Sequence, residues 1–483
     1  MKIQLILAAK LKSKRTGGVE YIYPPLGLLY LASYLRDRLT DIEIKVTDGF
    51  RVGYHRTLEE VELFAPDIVG VSSATPAAGG AYRLINEIKT MLPQTTVVYG
   101  GAHATATPED ALLRSKVDYV VMGEGEVTFY NLVSGSEPRL VRGIAYRDGE
   151  KVIKNTAQPL IQAIDEIPIP ARDLIDMSKY PGYYITKRRP ETHIISSRGC
   201  PYNCVFCSNP VWKLQKPWLR LRSPQGVIDE LEMLARNYGI REYYDQCDEF
   251  NASKKWATAV CQELVLRDLN LAWKVQVRVD NLDEALVAKM AEAGCWLVFI
   301  GIESGNQETL DGIRKKVTLE QVREACRLFQ KYGIKVFGLF MAFNVWEDNG
   351  ELAYEDMAKT KKTLQFAENL IDEGLLNYLT WSLTTPYPGS ELYDIALRHK
   401  LISEDMIGQW ERIEPIWSFN MQLPTVSEED WMAVKSYGAR IQAKCVVRGG
   451  LFNRATIKLI LQRGVSMILL DLERLLKRFL RRA

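Results

Sequence analysis

The sequence predicts an α/β fold with a doubly wound parallel sheet, a partial (β/α)6 barrel and a helical C-terminal region. Three observations predict it. The first 130 residues alternate short apolar runs with amphipathic stretches, as βαβ units do. A second alternation of six such units starts at His193. After about residue 400 the pattern becomes helical.

The same patterns divide the chain into four parts, because 483 residues exceed one hydrophobic core. A linker is predicted where "YRDGEKVIKN" resembles a hairpin and "IDEIPIPARD" spaces its prolines too closely for a helix. The predicted parts are an α/β domain at 1–140, the linker at 141–190, the barrel at 191–400 and the helical region at 401–483.

The first domain is predicted to bind ligands beyond the carboxyl ends of its strands, as doubly wound sheets do. Small or polar residues follow these ends in "TDGFRVG", "SSATP", "GGAHAT" and "GEGE". Helices are predicted at Leu26 to Arg36 and Gly80 to Met91. The predicted strands are Lys2 to Leu7, Glu43 to Val46, Ile68 to Ser72, Thr96 to Tyr99 and Tyr119 to Met122.

The barrel is predicted to carry its active-site groups at the carboxyl ends of six strands. These strands are predicted at His193 to Ser197, Glu242 to Asp245, Ala272 to Val279, Trp296 to Ile300, Lys335 to Met341 and Tyr378 to Ser382.

Composition excludes some classes of function. The 62 basic and 60 acidic residues nearly cancel, so charge gives no argument for a nucleic-acid partner. In "MKIQLILAAKLKSKR" the apolar run precedes the lysines, the reverse of a signal peptide, and no clean apolar run reaches 18 residues. We therefore expect a cytoplasmic protein, and its eight cysteines do not suggest a disulfide scaffold.

Three cysteines, Cys200, Cys204 and Cys207, lie together in "RGCPYNCVFCSN". A structural zinc site needs four ligands, but the chain has no second cysteine pair and no histidines at ligand spacing. Three thiolates can hold three irons of a [4Fe–4S] cluster and leave the fourth open to a substrate or cofactor. The spacing therefore indicates chemistry at a cluster, and the alternative is three buried free cysteines.

This CxxxCxxC motif, directly after a strand that opens a (β/α) barrel, resembles that of the radical S-adenosylmethionine (radical SAM) superfamily. The resemblance implies that Cys200, Cys204 and Cys207 bind the cluster and that the fourth iron chelates SAM. It implies that an electron from the cluster cleaves the sulfonium to a 5′-deoxyadenosyl radical, which requires an electron donor such as flavodoxin or ferredoxin. It also implies that Phe206 packs near the adenine.

Later strand ends carry further resemblances. "YYDQCDEFN" is similar to a SAM-contacting Asp-Asp-x-Phe run, but Cys247 replaces the first aspartate and leaves Asp248 and Phe250. The resemblance implies a cofactor contact by Asp248. Two interpretations of Cys247 stay open: an inert core thiol, or a catalytic hydrogen donor in the active site.

"KVQVRVD" and "VFIGIESGNQETL" place Arg278, Glu303 and Ser304 after the third and fourth strands. The resemblance implies that the glutamate or its neighbours bind the ribose and carboxylate of SAM, with an exposed charge as the alternative for Arg278. "FGLFMAFNVWEDN" departs from the usual glycine-and-proline turn after the fifth strand. We expect Asn344, Trp346 and Glu347 to shape a substrate pocket, with Glu347 as a candidate catalytic group.

The first domain resembles the Rossmann-like cobalamin-binding domain that precedes the barrel in one large radical SAM subclass. "YPPLGLLYLASYL", "GGAHATATPEDAL" and "VDYVVMGEGE" carry this resemblance, which extends to about residue 400. His103 either donates a hydrogen bond to the corrin or caps a helix. The cobalamin-binding residues implied are Pro25, Leu26, Ser73, Thr75, Gly100, Gly101, His103 and Glu124.

The wider cobalamin-binding group has a cobalt-binding histidine in Asp-x-His-x-x-Gly, whereas "DGFRVG" has Phe50 at that position. Phenylalanine cannot ligate a metal. Two alternatives follow: cobalamin held without a protein lower ligand, or a domain that keeps the fold and has lost the cofactor.

The last 28 residues place basic side chains among leucines and isoleucines at roughly helical spacing. Such a helix either contacts an anionic membrane peripherally, which favours a lipid substrate, or caps the barrel. The predicted function is hydrogen abstraction from an unactivated carbon of a small molecule or lipid, followed by cobalamin-dependent C-methylation. The alternatives are radical SAM cyclisation, rearrangement or dehydration without methyl transfer, and a non-catalytic corrinoid or metal sensor.

Overall fold

The computed structural model describes residues 1–10, 23–180, 182–183, 185–208, 213, 215–403, 408–413 and 420–448. The predicted basic helix of the C-terminal tail lies outside these residues.

A seven-stranded sheet forms the N-terminal domain. Its strands are β1 Lys2–Leu7, β2 Glu43–Asp48, β3 Ile68–Ser72, β4 Thr96–Gly100, β5 Tyr119–Val121, β6 Ile144–Asp148 and β7 Lys151–Lys154. Its helices are α1 Leu26–Arg36, α2 Gly49–Val52, α3 Tyr54–Phe64, α4 Ala78–Met91, α5 Ala102–Ala106, α6 Pro108–Arg114 and α7 Gly125–Val133. The strand order is β2-β1-β3-β4-β5-β6-β7, with β1 to β5 parallel.

Apolar side chains cover both faces of this sheet, so it is doubly wound as predicted. Along β1, Ile3 and Leu5 pack in one core with α1, while Ile6 packs in the other with α4. This division follows from the alternation of side chains across a strand. The predicted hairpin also forms, but β6 pairs antiparallel with β5. The sheet therefore continues to Lys154, past the boundary predicted at residue 140.

The second sheet has six parallel strands in the order β17-β14-β13-β12-β11-β8. These are β8 Glu191–Ile194, β11 Glu242–Asp245, β12 Ala272–Val277, β13 Cys295–Glu303, β14 Lys335–Ala342 and β17 Tyr378–Leu383. Because β8 and β17 form its two edges, the barrel is partial, as predicted. Two short antiparallel pairs are inserted, β9 Ser197–Arg198 with β10 Arg220–Leu221 and β15 Val345–Asp348 with β16 Glu351–Tyr354.

Helices surround this sheet, and the last described helix, Glu428–Arg448, packs on β17. They are α8 Pro224–Tyr238, α9 Lys254–Arg267, α10 Glu284–Glu292, α11 Gln307–Gly312, α12 Leu319–Lys331, α13 Met357–Asp372, α14 Glu391–Arg398 and α15 Glu428–Arg448. Inside the barrel, Phe299, Phe337 and Tyr378 form an aromatic floor on neighbouring strands. Within the described ranges, none of the helices is both long and apolar enough to cross a membrane.

Candidate active site

The three cysteines lie on a loop that leaves β9. Gly199, which begins the loop, has φ +87°, and a Cβ there would overlap the Trp218 carbonyl oxygen, so the position requires glycine. The Gly199 amide donates to Asp248 Oδ2 at 2.8 Å, and the Val205 amide donates to the Ile313 carbonyl at 3.1 Å. These bonds tie the loop to the segment after β11 and to the end of α11.

The loop presents the thiols of Cys200, Cys204 and Cys207 half-buried, whereas the other five cysteines are buried. Among the residues that the structure describes, no three His, Cys, Asp or Glu side chains converge like the ligands of a single ion. A [4Fe–4S] cluster places each thiolate on a different iron, and three thiols on one loop fit such a cluster. Burial raises the pKa of Cys200 to about 12, so iron must displace the thiol proton on binding.

The loop after β11 carries Cys247, Asp248 and Glu249. Asp248 anchors Gly199 through its carboxylate. Cys247 is 1% exposed in the apolar core, and burial raises its pKa well above the ordinary value. This placement favours the inert core thiol over the hydrogen donor, while Phe250 packs in the same core.

Glu249, between Asp248 and Phe250, has no assigned role in the sequence motif. Its side chain is buried, and Oε1 has no hydrogen-bond partner among the described residues. Burial raises its pKa to about 8, although Lys315 and Arg278 oppose the shift. An unsatisfied buried acceptor costs about 1–3 kcal/mol, which a donor on a bound ligand would offset.

Two buried cations lie beside the cysteine loop. Arg278 bonds both oxygens of Asp280 at 2.9 Å and stacks 3.6 Å from the Tyr202 ring centroid. It also donates to the Lys315 carbonyl at 2.6 Å. The Lys315 ammonium forms an ion pair with Glu303 Oε1 at 2.9 Å and lies 6.0 Å from the Phe206 ring. The structure thus brings Arg278, Glu303 and Phe206 together and adds Lys315.

Backbone geometry accounts for the position of the Lys315–Glu303 ion pair. Glu303 has φ +64°, unusual for a residue with a side chain, at a register shift between β13 and β14. A Cβ on Gly301 would collide with Glu303 Oε1 and lie 2.7 Å from Lys315 Nζ. The absent side chain at Gly301 therefore leaves the space that the ion pair occupies.

The other residues predicted at this end of the barrel contact the scaffold. Ser304 is fully buried, and its hydroxyl donates to Glu355 Oε1 at 2.5 Å. Asn344 Nδ2 donates to Glu355 Oε2 at 2.9 Å, and Trp346 packs on Gly312. Glu347 pairs with Arg398 and His399 around α14. These contacts join the β15–β16 hairpin to its neighbours.

The strand ends of the N-terminal domain form a second, largely buried cluster. His103 is fully buried, with Nε2 2.9 Å from the Tyr82 hydroxyl and Nδ1 3.3 Å from Thr75 Oγ1. Trp410 from the C-terminal region packs its ring 5.0 Å from His103 and donates to Asp110 at 2.8 Å. His103 therefore joins a buried network beneath the C-terminal region.

The remaining residues predicted for this edge have different environments. Ser73 bonds the Tyr99 hydroxyl at 2.6 Å, and Leu26 packs in the core behind Pro25, the N-cap of α1. A Cβ at Gly100 would come no closer than 3.8 Å to any other atom. Gly101 has φ +101° and lies against Ser72 and Ser73. Glu124 forms ion pairs with arginines of the barrel domain.

Comparisons with known proteins agree with this two-part arrangement. Residues 14–133 match the B12 binding domain model, and residues 194–357 match the radical SAM superfamily model. An uncharacterized methyltransferase of Pyrococcus horikoshii is 34% identical over 86% of this chain and 87% of its own. This chain belongs to the radical SAM enzymes that carry an N-terminal B12-binding domain.

The chain is also similar to two further proteins. The anaerobic magnesium-protoporphyrin IX monomethyl ester cyclase of Rubrivivax gelatinosus is 30% identical, over 78% of this chain and 67% of the cyclase. The structure of the radical SAM methyltransferase TsrM from Kitasatospora setae, with cobalamin and a [4Fe–4S] cluster bound, has a TM-score of 0.64 at 19% identity. That match covers 91% of this chain and 84% of TsrM, and it shows the shared fold.

The buried His103 of the B12-binding domain should make the protein less stable as the pH falls. Burial lowers its pKa from 6.5 to about 4. The unfolded state therefore takes up a proton first, and the free energy of unfolding falls as the pH drops from about 6.5 to about 4. Such a shift corresponds to about 3 kcal/mol. We expect His103→Gln to lose about 3 kcal/mol less than the wild type in urea unfolding between pH 7 and pH 4.

The matched control is His55→Gln, since His55 is exposed on α3. This variant should follow the wild-type pH profile. Equal losses in the wild type and His103→Gln would contradict the prediction.

Proposed function

We propose that this enzyme is a cobalamin-dependent radical SAM C-methyltransferase acting on a small molecule. When bound, the cluster and SAM supply a radical that removes hydrogen from an unactivated carbon, and cobalamin supplies the methyl group. The 34% identity with a methyltransferase over most of both chains supports methyl transfer. The observation that carries the proposal is the unsatisfied Glu249 acceptor beside Arg278, Lys315 and the cysteine loop.

The charges around the cysteine loop complement the amino-acid part of SAM. Its carboxylate would bind the guanidinium of Arg278 or the ammonium of Lys315, since charge-assisted hydrogen bonds are the stronger ones. Its amino group would donate to the vacant Glu249 Oε1. Phe206, 6.0 Å from the Lys315 ammonium, would pack near the adenine. The donors and acceptors present thus fit SAM at Cys200, Cys204 and Cys207.

The barrel interior would hold the substrate. Phe299, Phe337 and Tyr378 close it from below, which keeps water away from a reactive radical. Beside this floor, with the Tyr244 ring 5.1 Å from that of Phe299, the Gln276 amide donates to the Tyr244 hydroxyl at 3.0 Å, and both residues are only partly buried. This pair offers hydrogen bonds at the end of the barrel where active sites lie.

The carboxyl edge of the B12-binding domain fits a large ligand that is held without a cobalt-binding histidine, since "DGFRVG" contains none. Asp48 accepts from the Phe50 amide at 3.0 Å and from the Tyr180 hydroxyl at 3.2 Å, so it orders this turn. A Cβ at Gly27 would meet no atom within 4 Å, and one at Gly100 would touch only Val121, at 3.8 Å. These positions would let cobalamin approach the backbone, and a protein such as flavodoxin or ferredoxin would supply the electron.

The test uses the full chain reconstituted anaerobically with iron, sulfide and hydroxocobalamin. After desalting, we expect corrin absorption to remain with the protein and reduced protein to release 5′-deoxyadenosine from SAM. With methyl-labelled SAM and a small-molecule extract of source cells, label should enter a product. A protein that cleaves no SAM would contradict radical chemistry altogether.

A second candidate is radical SAM cyclisation without methyl transfer. The 30% identity with a cyclase and the Phe50 position favour it. It predicts 5′-deoxyadenosine and a modified product without label in the same experiment.

A further inference from the structure

An ionic clamp joins the B12-binding domain to the base of the cysteine loop. Its acids are Glu124 and Glu126, at the start of α7, and its bases are Arg198 on β9 and Arg220 on β10. Arg220 holds Glu124 in two bonds, Nη2 to Oε1 at 2.5 Å and Nη1 to Oε2 at 2.9 Å. Arg198 lies 3.4 Å from Glu124 Oε1 and 2.7 Å from Glu126 Oε1.

The clamp is shielded from water, which distinguishes it from the surface ion pairs of the chain. The side chains of Arg220 and Glu126 are 4% and 7% exposed, and that of Glu124 is 14% exposed. The Arg198 guanidinium also lies 5.2 Å from the ring of Tyr30 on α1. Two-point arginine–carboxylate bonds fix direction as well as distance, and burial reduces their screening by salt. The clamp therefore holds a defined geometry.

The basic half of the clamp is continuous with the cysteine loop. Arg198 and Arg220 lie opposite each other in the β9–β10 pair. Only Gly199 separates Arg198 from Cys200, and Gly199 packs on the Trp218 carbonyl that leads into β10. A movement of either arginine would move the first cysteine with it.

The acidic half is continuous with the ligand-binding edge of the first sheet. Glu124 follows β5 in the "GEGE" stretch, at the same carboxyl edge as Gly100, the last residue of β4, and Gly101. Both oxygens of Glu124 accept from Arg220, and Glu126 Oε1 accepts from Arg198, so Glu124 has its carboxylate oxygens occupied by the barrel domain. The sequence prediction that Glu124 binds cobalamin thus gives way to a different role.

We infer that Glu124 and Glu126 are positioning residues that set the distance between the cysteine loop and the cobalamin edge. This inference rests on the proposed function, because the distance matters only when both groups are bound. The two sites must lie close enough for the substrate to meet radical and methyl donor in one enclosed space. The four residues of the clamp would maintain this distance without contacting the reacting atoms.

The test is the magnetic interaction between the two cofactors in the full chain. Wild type, Glu124→Gln, Glu126→Gln and the double variant are reconstituted with iron, sulfide and hydroxocobalamin and then reduced. Electron paramagnetic resonance is recorded for cob(II)alamin beside the reduced cluster. In the wild type, we expect the reduced cluster to broaden the cob(II)alamin signal. In the double variant this broadening should be lost, while the iron, sulfide and corrin contents stay unchanged. Each single variant should lose part of it.

The matched control is Glu137→Gln, which removes an exposed acid of the same domain that pairs with Arg139. It should keep the wild-type broadening. Unchanged broadening in the double variant would overturn the inference, and loss of corrin from Glu124→Gln with an intact cluster would make Glu124 a cofactor ligand instead. Absence of either cofactor from the wild type would refute the proposed function, a separate outcome.

Discussion

Alanine at Cys200, Cys204 or Cys207 is expected to abolish the iron–sulfur cluster and SAM cleavage together. The three thiols lie on one loop fixed by Gly199 and by bonds to Asp248 and Ile313, and no other cysteine is exposed to replace one of them. Two thiolates would leave a cluster with two open irons, which is less stable than one with a single open iron. Iron and sulfide contents and 5′-deoxyadenosine release, measured under anaerobic reduction, should both fall to background.

Cys261→Ala is the control for this experiment. Cys261 is buried among apolar side chains on α9 and has no part in the loop. Its replacement should leave iron, sulfide and cleavage at wild-type levels. Retained cleavage in Cys204→Ala would refute the cluster assignment.

Local sequence pattern predicts most of the fold, because strands and helices are set by the periodicity of neighbouring residues. The bounds of β1, β3, β11 and α1 agree with the prediction, and the other predicted elements differ by at most three residues at an end. The hairpin predicted at "YRDGEKVIKN" is confirmed by the antiparallel pairing of β6 and β7. Its attachment to β5 depends on residues distant in sequence, which periodicity does not report.

Some residues of the candidate active site can likewise be recognised from local sequence, and others only from the fold. The cysteine spacing is local, so the sequence identifies it directly. Lys315 follows α11 and pairs with Glu303 beside a register shift of β13, in space that Gly301 leaves open. The sequence shows Glu249 as an acidic residue in a strand-end motif. That its Oε1 is buried without a hydrogen-bond partner among the described residues is known only from the structure. The pairing of Glu124 with Arg220, 96 residues away, has no local signal.

Lys315→Met is expected to destabilise the fold and to weaken SAM binding by separate causes. Lys315 and Glu303 are both buried, so the substitution leaves a buried carboxylate without its cation. Breaking a buried ion pair in this way costs about 3–5 kcal/mol. Loss of one charge-assisted hydrogen bond to the SAM carboxylate would weaken affinity about 10- to 100-fold. Urea unfolding and equilibrium dialysis with SAM measure the two effects.

The double variant Lys315→Met with Glu303→Gln separates these causes. It contains no unpaired buried charge at this position, so most of the lost unfolding free energy should return. SAM affinity should stay low, because Lys315, one of the two cations that we propose for the SAM carboxylate, is still absent. Lys316→Met, which removes the exposed neighbouring lysine, should change the free energy of unfolding by less than about 0.5 kcal/mol and keep wild-type affinity. Recovery of affinity in the double variant would show that Lys315 serves only to neutralise Glu303, and Arg278 would then be the group that binds the SAM carboxylate.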